Sequence, residues 1–185
     1  WEAASGGATD INGLSDAKTF GTSSIMLGDA TTGTIDGANY NTGLGVDVFA
    51  ALTSGDNNIA IGFEALNDVT TASSNTAVGN SALTANTTGA KNSAFGYGAL
   101  DANTTASFNN AFGHDALGSN TTGDLNVAIG YEALGTNVAG DKSVAIGVQA
   151  LYAQNPSGNA DMYNTAVGYT AGAAVTTGVQ NTLIG

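Results

Sequence analysis

The chain has 185 residues and a net charge of −12, from fifteen carboxylates against three lysines and no arginine. Lys18, Lys91 and Lys142 lie far apart, which excludes the clustered cations that nucleic acid or an anionic membrane surface demands. The absence of cysteine excludes disulfides and thiolate metal sites, and no apolar run approaches the roughly eighteen residues of a membrane-crossing helix.

Residues 1–23 read as a lead-in or linker. The opening "WEAASGG" has neither an initiator Met nor the charged-then-apolar pattern of a signal peptide, and suggests an internal piece of a longer chain. From residue 24 to 185 the sequence repeats itself. Gly28, Gly45, Gly62, Gly79, Gly96, Gly113, Gly130, Gly147, Gly168 and Gly185 follow one another at intervals of 17, except for one interval of 21 between Gly147 and Gly168. The longer interval predicts a four-residue insertion near 152–163, which contains the single proline, Pro156. A period of this kind is the signature of a stacked-repeat architecture.

Each unit runs Asn, a variable residue, Ala, a large apolar residue, Gly, two variable residues, Ala, Leu and a polar turn. A helical repeat needs about 33 residues, and glycine inside every unit counts against helix, so the units are predicted to be coils of two short strands each. The expected fold is an all-β parallel β-roll or β-solenoid of about ten coils. At about 4.8 Å per coil it would be a rod roughly 48 Å long.

Strand alternation assigns faces. The large residues Leu27, Leu44, Ile61, Val78, Phe95, Phe112, Ile129, Ile146, Val167 and Ile184 are expected to form the inner column. Five residues on, Leu66, Leu83, Leu100, Leu117, Leu134 and Leu151 supply a second, with Phe49 and Gly172 as the variants. Ala60, Ala77, Ala94, Ala111, Ala128, Ala145 and Ala166 are then expected to face a neighbouring chain, because unbroken Ala implies close approach of another backbone. That reading predicts a parallel homotrimer.

Asn41, Asn58, Asn75, Asn92, Asn109, Asn126, Asn164 and Asn181 open successive coils and are expected to stack as an amide ladder along the axis. Asp56, Asp124 and Asp141 recur in the turns, and Asp47, Glu64, Asp115 and Glu132 beside the strands. They read as a solvated acidic face in preference to a Ca²⁺ site, since no calcium-loop motif is present. No cofactor and no metal site is expected. The three "NTT" triplets at Asn86, Asn103 and Asn120 match the N-glycosylation acceptor, but their recurrence in a turn accounts for them.

Two positions past the apolar column stands a row of Phe63, Asn80, Tyr97, His114, Tyr131, Val148 and Tyr169. His114 has no second histidine or cysteine to work with and reads as a surface position. Tyr97, Tyr131, Tyr169 and Phe63 are the candidate contacts for a host-surface glycan or protein receptor, and Pro156 joins them because insertions in solenoids map to one face, often the binding face. No nucleophile, paired-carboxylate or phosphate-loop arrangement stands apart from the repeat, so no enzyme is expected.

The coils resemble the head repeat of YadA-like trimeric adhesins, whose Asn-Ser-Val-Ala-Ile-Gly motif is matched by "KSVAIG" at 142–147 and "NVAIG" at 126–130. Similar repeats occur in phage tail-fibre and virion-fibre proteins, and the leading "GGATDINGLSDAKTFGTSSIMLGD" looks more like those. The resemblance implies a left-handed roll, three chains side by side, in a fibre at a virion or extracellular surface that contacts a target. A phage tail or virion fibre is the leading expectation, ahead of a bacterial trimeric adhesin and a polysaccharide-degrading tailspike. The 17-residue spacing is longer than that family's usual coil.

Overall fold

A computed structural model of the protein describes residues 17–20, 24–27 and 37–185. Among these the strands are β1 (Ala17–Phe20), β2 (Ser24–Leu27), β3 (Thr42–Leu44), β4 (Ile59–Ile61), β5 (Thr76–Val78), β6 (Ser93–Phe95), β7 (Asn110–Phe112), β8 (Val127–Ile129), β9 (Gly140–Asp141), β10 (Val144–Ile146), β11 (Ala160–Asp161), β12 (Thr165–Val167) and β13 (Thr182–Ile184). Eleven of them form one sheet in the order β1-β2-β3-β4-β5-β6-β7-β8-β10-β12-β13. β1 pairs antiparallel with β2, and every later neighbour is parallel. The chain is an all-β parallel β-solenoid of about eight turns of about 17 residues. The strand β1 falls within the expected lead-in yet belongs to the sheet. The other residues of that lead-in, and the first anchor Gly28, lie outside the described residues.

The register follows the sequence period. Ala111 faces Ala128 and Ala128 faces Ala145, 17 residues apart each time, whereas Ala145 pairs with Ala166 across the insertion. The extra residues leave at the corner after Gln154, and β11 beyond them pairs in parallel with β9 of the preceding coil.

Outside the two coils that carry β9 and β11, only one strand forms per coil, not two. The second arm contains left-handed residues on either side of an alanine: Asp115 and Leu117 at φ 53° and 52°, Glu132 and Leu134 at φ 51° and 53°. A chain that alternates hands in this way bends and cannot extend. Its backbone still bonds from coil to coil, as in Leu83 N–H to Ala99 C=O at 3.0 Å and Leu117 N–H to Ala133 C=O at 3.0 Å.

The two faces of the strand are the reverse of the expectation. Ala60, Ala77, Ala94, Ala111, Ala128, Ala145 and Ala166 are fully buried in the chain's own core. Leu27, Leu44, Ile61, Phe112, Ile129, Ile146, Val167 and Ile184 are exposed, and Val78 and Phe95 are half-buried. The reason is the thickness of the coil. The opposite arm lays Ala82, Leu83 and their counterparts against the inner side of the strand, in one buried cluster with the strand alanines. With one leucine per coil already filling the centre, only a methyl fits opposite it, since a close-packed interior has no spare volume. The backbone that approaches the alanines is therefore the same chain's other arm.

Side-chain amides close the rest of the core. Asn75 Oδ1 accepts from the backbone N–H of Asn92 at 2.9 Å, and Asn92 Oδ1 from that of Asn109 at 2.9 Å. The Nδ2 groups donate fourteen residues onward, Asn92 to Ala106 C=O at 2.8 Å and Asn109 to Gly123 C=O at 2.9 Å. The row thus runs along the axis, but mainly through amide-to-backbone bonds. A second amide row lies in the "NTT" turns: Asn103 Nδ2 donates to Asn86 Oδ1 at 2.8 Å and Asn120 Nδ2 to Asn103 Oδ1 at 3.2 Å. These three asparagines are fully buried, so the folded chain offers none of them to a glycosylating enzyme. Where the insertion breaks the pattern and Ser143 stands in the first row, Gln154 reaches across, donating to Ser143 Oγ at 3.0 Å and accepting from Asn164 Nδ2 at 2.8 Å. Among the described residues no buried side-chain nitrogen or oxygen lacks a partner.

Candidate functional site

Because the alanines face inward, each strand presents its first and third residues outward. From β3 to β13 no strand of the long sheet contains a charged residue. The result is an apolar stripe along the sheet. Ile61 and Ile146 are each 37% exposed and Ile129 40%. Phe95 and Phe112 stack within it, ring centroids 4.7 Å apart and 6° from parallel. The third residues form an unbroken apolar column, and such a column marks an interaction surface.

Beyond the anchor glycines runs the aromatic row. Phe63, Tyr97, Tyr131 and Tyr169 are exposed. Tyr97 stacks on His114 with centroids 4.9 Å apart, and His114 leans on Tyr131 at 5.5 Å. Carboxylates of the neighbouring row tie this ladder down: His114 Nδ1 lies 3.0 Å from Asp115 Oδ2, and the Tyr131 hydroxyl donates to Glu132 Oε1 at 3.0 Å. The Glu132 bond holds the Tyr131 phenol above its ordinary pKa, because the accepted hydrogen bond stabilises the protonated phenol and the carboxylate repels a phenolate. The structure therefore brings Tyr97, His114 and Tyr131 together, while Phe63 and Tyr169 stand apart from that stack.

The turn carboxylates serve the backbone. Asp56 Oδ1 accepts from Asn39 N–H at 2.7 Å, Asp124 Oδ1 from Ser107 N–H at 2.6 Å and Asp141 Oδ1 from Asp124 N–H at 2.7 Å. Burial raises the pKa of Asp141, partly offset by that bond. Among the described residues no group of three or more His, Cys, Asp or Glu is placed to hold a metal ion. At the insertion, Pro156 is half-buried with its ring near Gly140, and Asn159 Oδ1 accepts from Thr122 Oγ1 at 2.8 Å, so the loop folds back over earlier coils. Lys142 closes the corner with Asp161 at 2.7 Å, and that ammonium, followed by the Tyr163 hydroxyl, holds the Asp161 carboxyl below its usual range.

Sequence reasoning passed over two features. The second amide row could have been found from the period, because Leu52 and Val69 occupy the same offset as Asn86 and Asn103, and that offset is buried from Leu52 to Gln154. The second is a notch between Asp101 and Tyr152, visible in the sequence only as two glycines, Gly118 and Gly135, at an offset where neighbouring coils carry side chains.

The architecture and its surfaces define a parallel β-solenoid with an uncharged apolar stripe on one side and a row of aromatics and carboxylates beside it. Comparison of the chain with protein-family models, with curated proteins and with solved structures finds no match.

Proposed function

We propose that this chain is a structural and adhesive segment of an extracellular trimeric fibre, in which three left-handed rolls lie parallel and pack through their apolar stripes. The fibre is a phage tail or virion fibre that attaches to a host surface, and no reaction is assigned to it. One observation carries the reading: the outward apolar column of Leu44, Ile61, Phe112, Ile129, Ile146 and Val167 is half-exposed in the single chain and uninterrupted by charge. Burying it stabilises an assembly at about 25 cal/mol per Å² of apolar surface. A partner with the same column and the same coil spacing matches it turn for turn.

The trimer is tested by sedimentation equilibrium of the purified chain. The expected mass is three times the 18.1 kDa of one chain. A monomer across the micromolar range would sink the proposal. Ile129→Glu together with Ile146→Glu should yield a folded monomer, since both side chains are exposed in the isolated roll.

A further inference from the structure

The notch at the middle of the rod lies on the bent arm, across the core from the apolar stripe. Its floor is Gly118 and Gly135, at the offset where other coils place Asn67, Thr84, Asp101 and Tyr152. The two ends lean over that floor. Asp101 Oδ1 lies 3.5 Å from where a Cβ on Gly118 would stand, and the Tyr152 ring edge 3.0 Å from where one on Gly135 would stand. Asp115, Glu132 and the hydroxyl-bearing Ser119 and Thr136 complete the lining, around a space of about 320 Å³. The notch spans three coil steps, about 14 Å.

Its chemistry is one-sided. Ionised carboxylates only accept hydrogen bonds, so the occupant has to be rich in donors and must not carry negative charge. The Tyr152 ring at one end suits the apolar face of a sugar ring, and the Ser119 and Thr136 hydroxyls suit its rim. Glu132 is already positioned by Gln149, whose Nε2 donates to its Oε2 at 2.7 Å. Asp101 and Asp115 are close enough to repel one another, and burial with that repulsion raises the Asp101 pKa. A cation placed between them relieves both.

We propose that the notch is a saccharide subsite for a hexosamine residue with a free amine, stacked on Tyr152, with its ammonium and hydroxyl hydrogens bonded to Asp101, Asp115 and Glu132. It deepens the adhesive reading and rests on it for its meaning, while binding itself requires no trimer. Association through the stripe leaves the notch open.

The test is saturation-transfer NMR on the full chain with a glucosamine tetrasaccharide, its N-acetylated counterpart and glucuronic acid. The glucosamine form should bind best and glucuronic acid should not bind. Gly118→Asn fills the floor with a residue that the repeat accepts at Asn67, so it should fold normally and abolish binding, and Tyr152→Ala should weaken binding by about tenfold. Melting curves confirm that both variants fold. No binding by any of the three sugars, equal binding of glucuronic acid, or binding untouched by Gly118→Asn would each overturn the subsite. A trimer that binds no sugar leaves the fibre reading standing, and a monomer that binds glucosamine refutes the trimer without touching the subsite.

Discussion

The strictest residue in the repeat is the anchor glycine, for two reasons that coincide. At Gly113 the backbone sits at φ +143°, and a Cβ there would stand 2.5 Å from the carbonyl oxygen of Gly130 in the next coil. No L side chain relieves both, so Gly113→Ala is expected to cost more than about 2 kcal/mol, read as a lower urea midpoint. Asp101 presents the opposite case, a residue that could be improved. Its folded-state pKa is raised above the ordinary 3.8, chiefly by burial. A carboxyl shifted upward favours the folded state when protonated, so its contribution is present at low pH and is lost as pH rises through 3.8 and the folded value. Asp101→Asn keeps the acceptor for the Ala102 N–H and removes the charge. It should raise the melting temperature at pH 7, and the gain should vanish below about pH 3.8, a dependence that thermal melts at graded pH will show.

At the scale of the coil, the alternation of the strand was legible in the sequence and its polarity was not. Period two separates Ala111 from Phe112, but it cannot say which face meets the rest of the chain. Size suggested the wrong answer, because bulky residues usually fill cores. What decides is the second arm. Leu117 adopts a left-handed conformation to point inward, occupying the space that Phe112 would need. The glycine period, the insertion and the first amide row followed from spacing alone, because each is fixed by register. The second amide row was hidden by resemblance to an ordinary polar turn. The reversed polarity makes a direct contrast. Ala111→Leu overfills the core and should cost about 1–3 kcal/mol. Ile129→Ser should leave the stability of the isolated roll within about 0.5 kcal/mol, while weakening self-association. Denaturant melts and sedimentation on the same two variants separate these effects, and equal losses of stability in both would restore the original polarity.

For the whole molecule, each coil meets the coils before and after it, and only the insertion loop reaches further among the contacts described, through Thr122 and Asn159. The contacts between neighbouring coils are the strand register, the arm bonds of the Leu83 to Ala99 kind, and amide bonds 17 residues apart. In such a quasi-one-dimensional stack, stability approximates a sum over coils and their interfaces, so a coil can be removed without changing the rest. Deleting residues 98–114 takes out one complete period and returns Tyr97 to a position where the next residue is Asp115, an acidic residue at an offset already filled by Glu64 and Glu132. The chain should fold with its sheet intact and its denaturant midpoint lowered. Deleting residues 98–115 removes one residue more and slips every later strand by one place. That slip turns Ile129 and its successors inward and the alanines outward, against an arm that admits only a methyl, because a one-residue shift exchanges the two faces of a strand. The shorter chain should lose cooperative melting or bulge locally to recover the register. Circular dichroism melts of the two deletions decide the matter, and equal behaviour would show that the 17-residue period is not what holds the rod together.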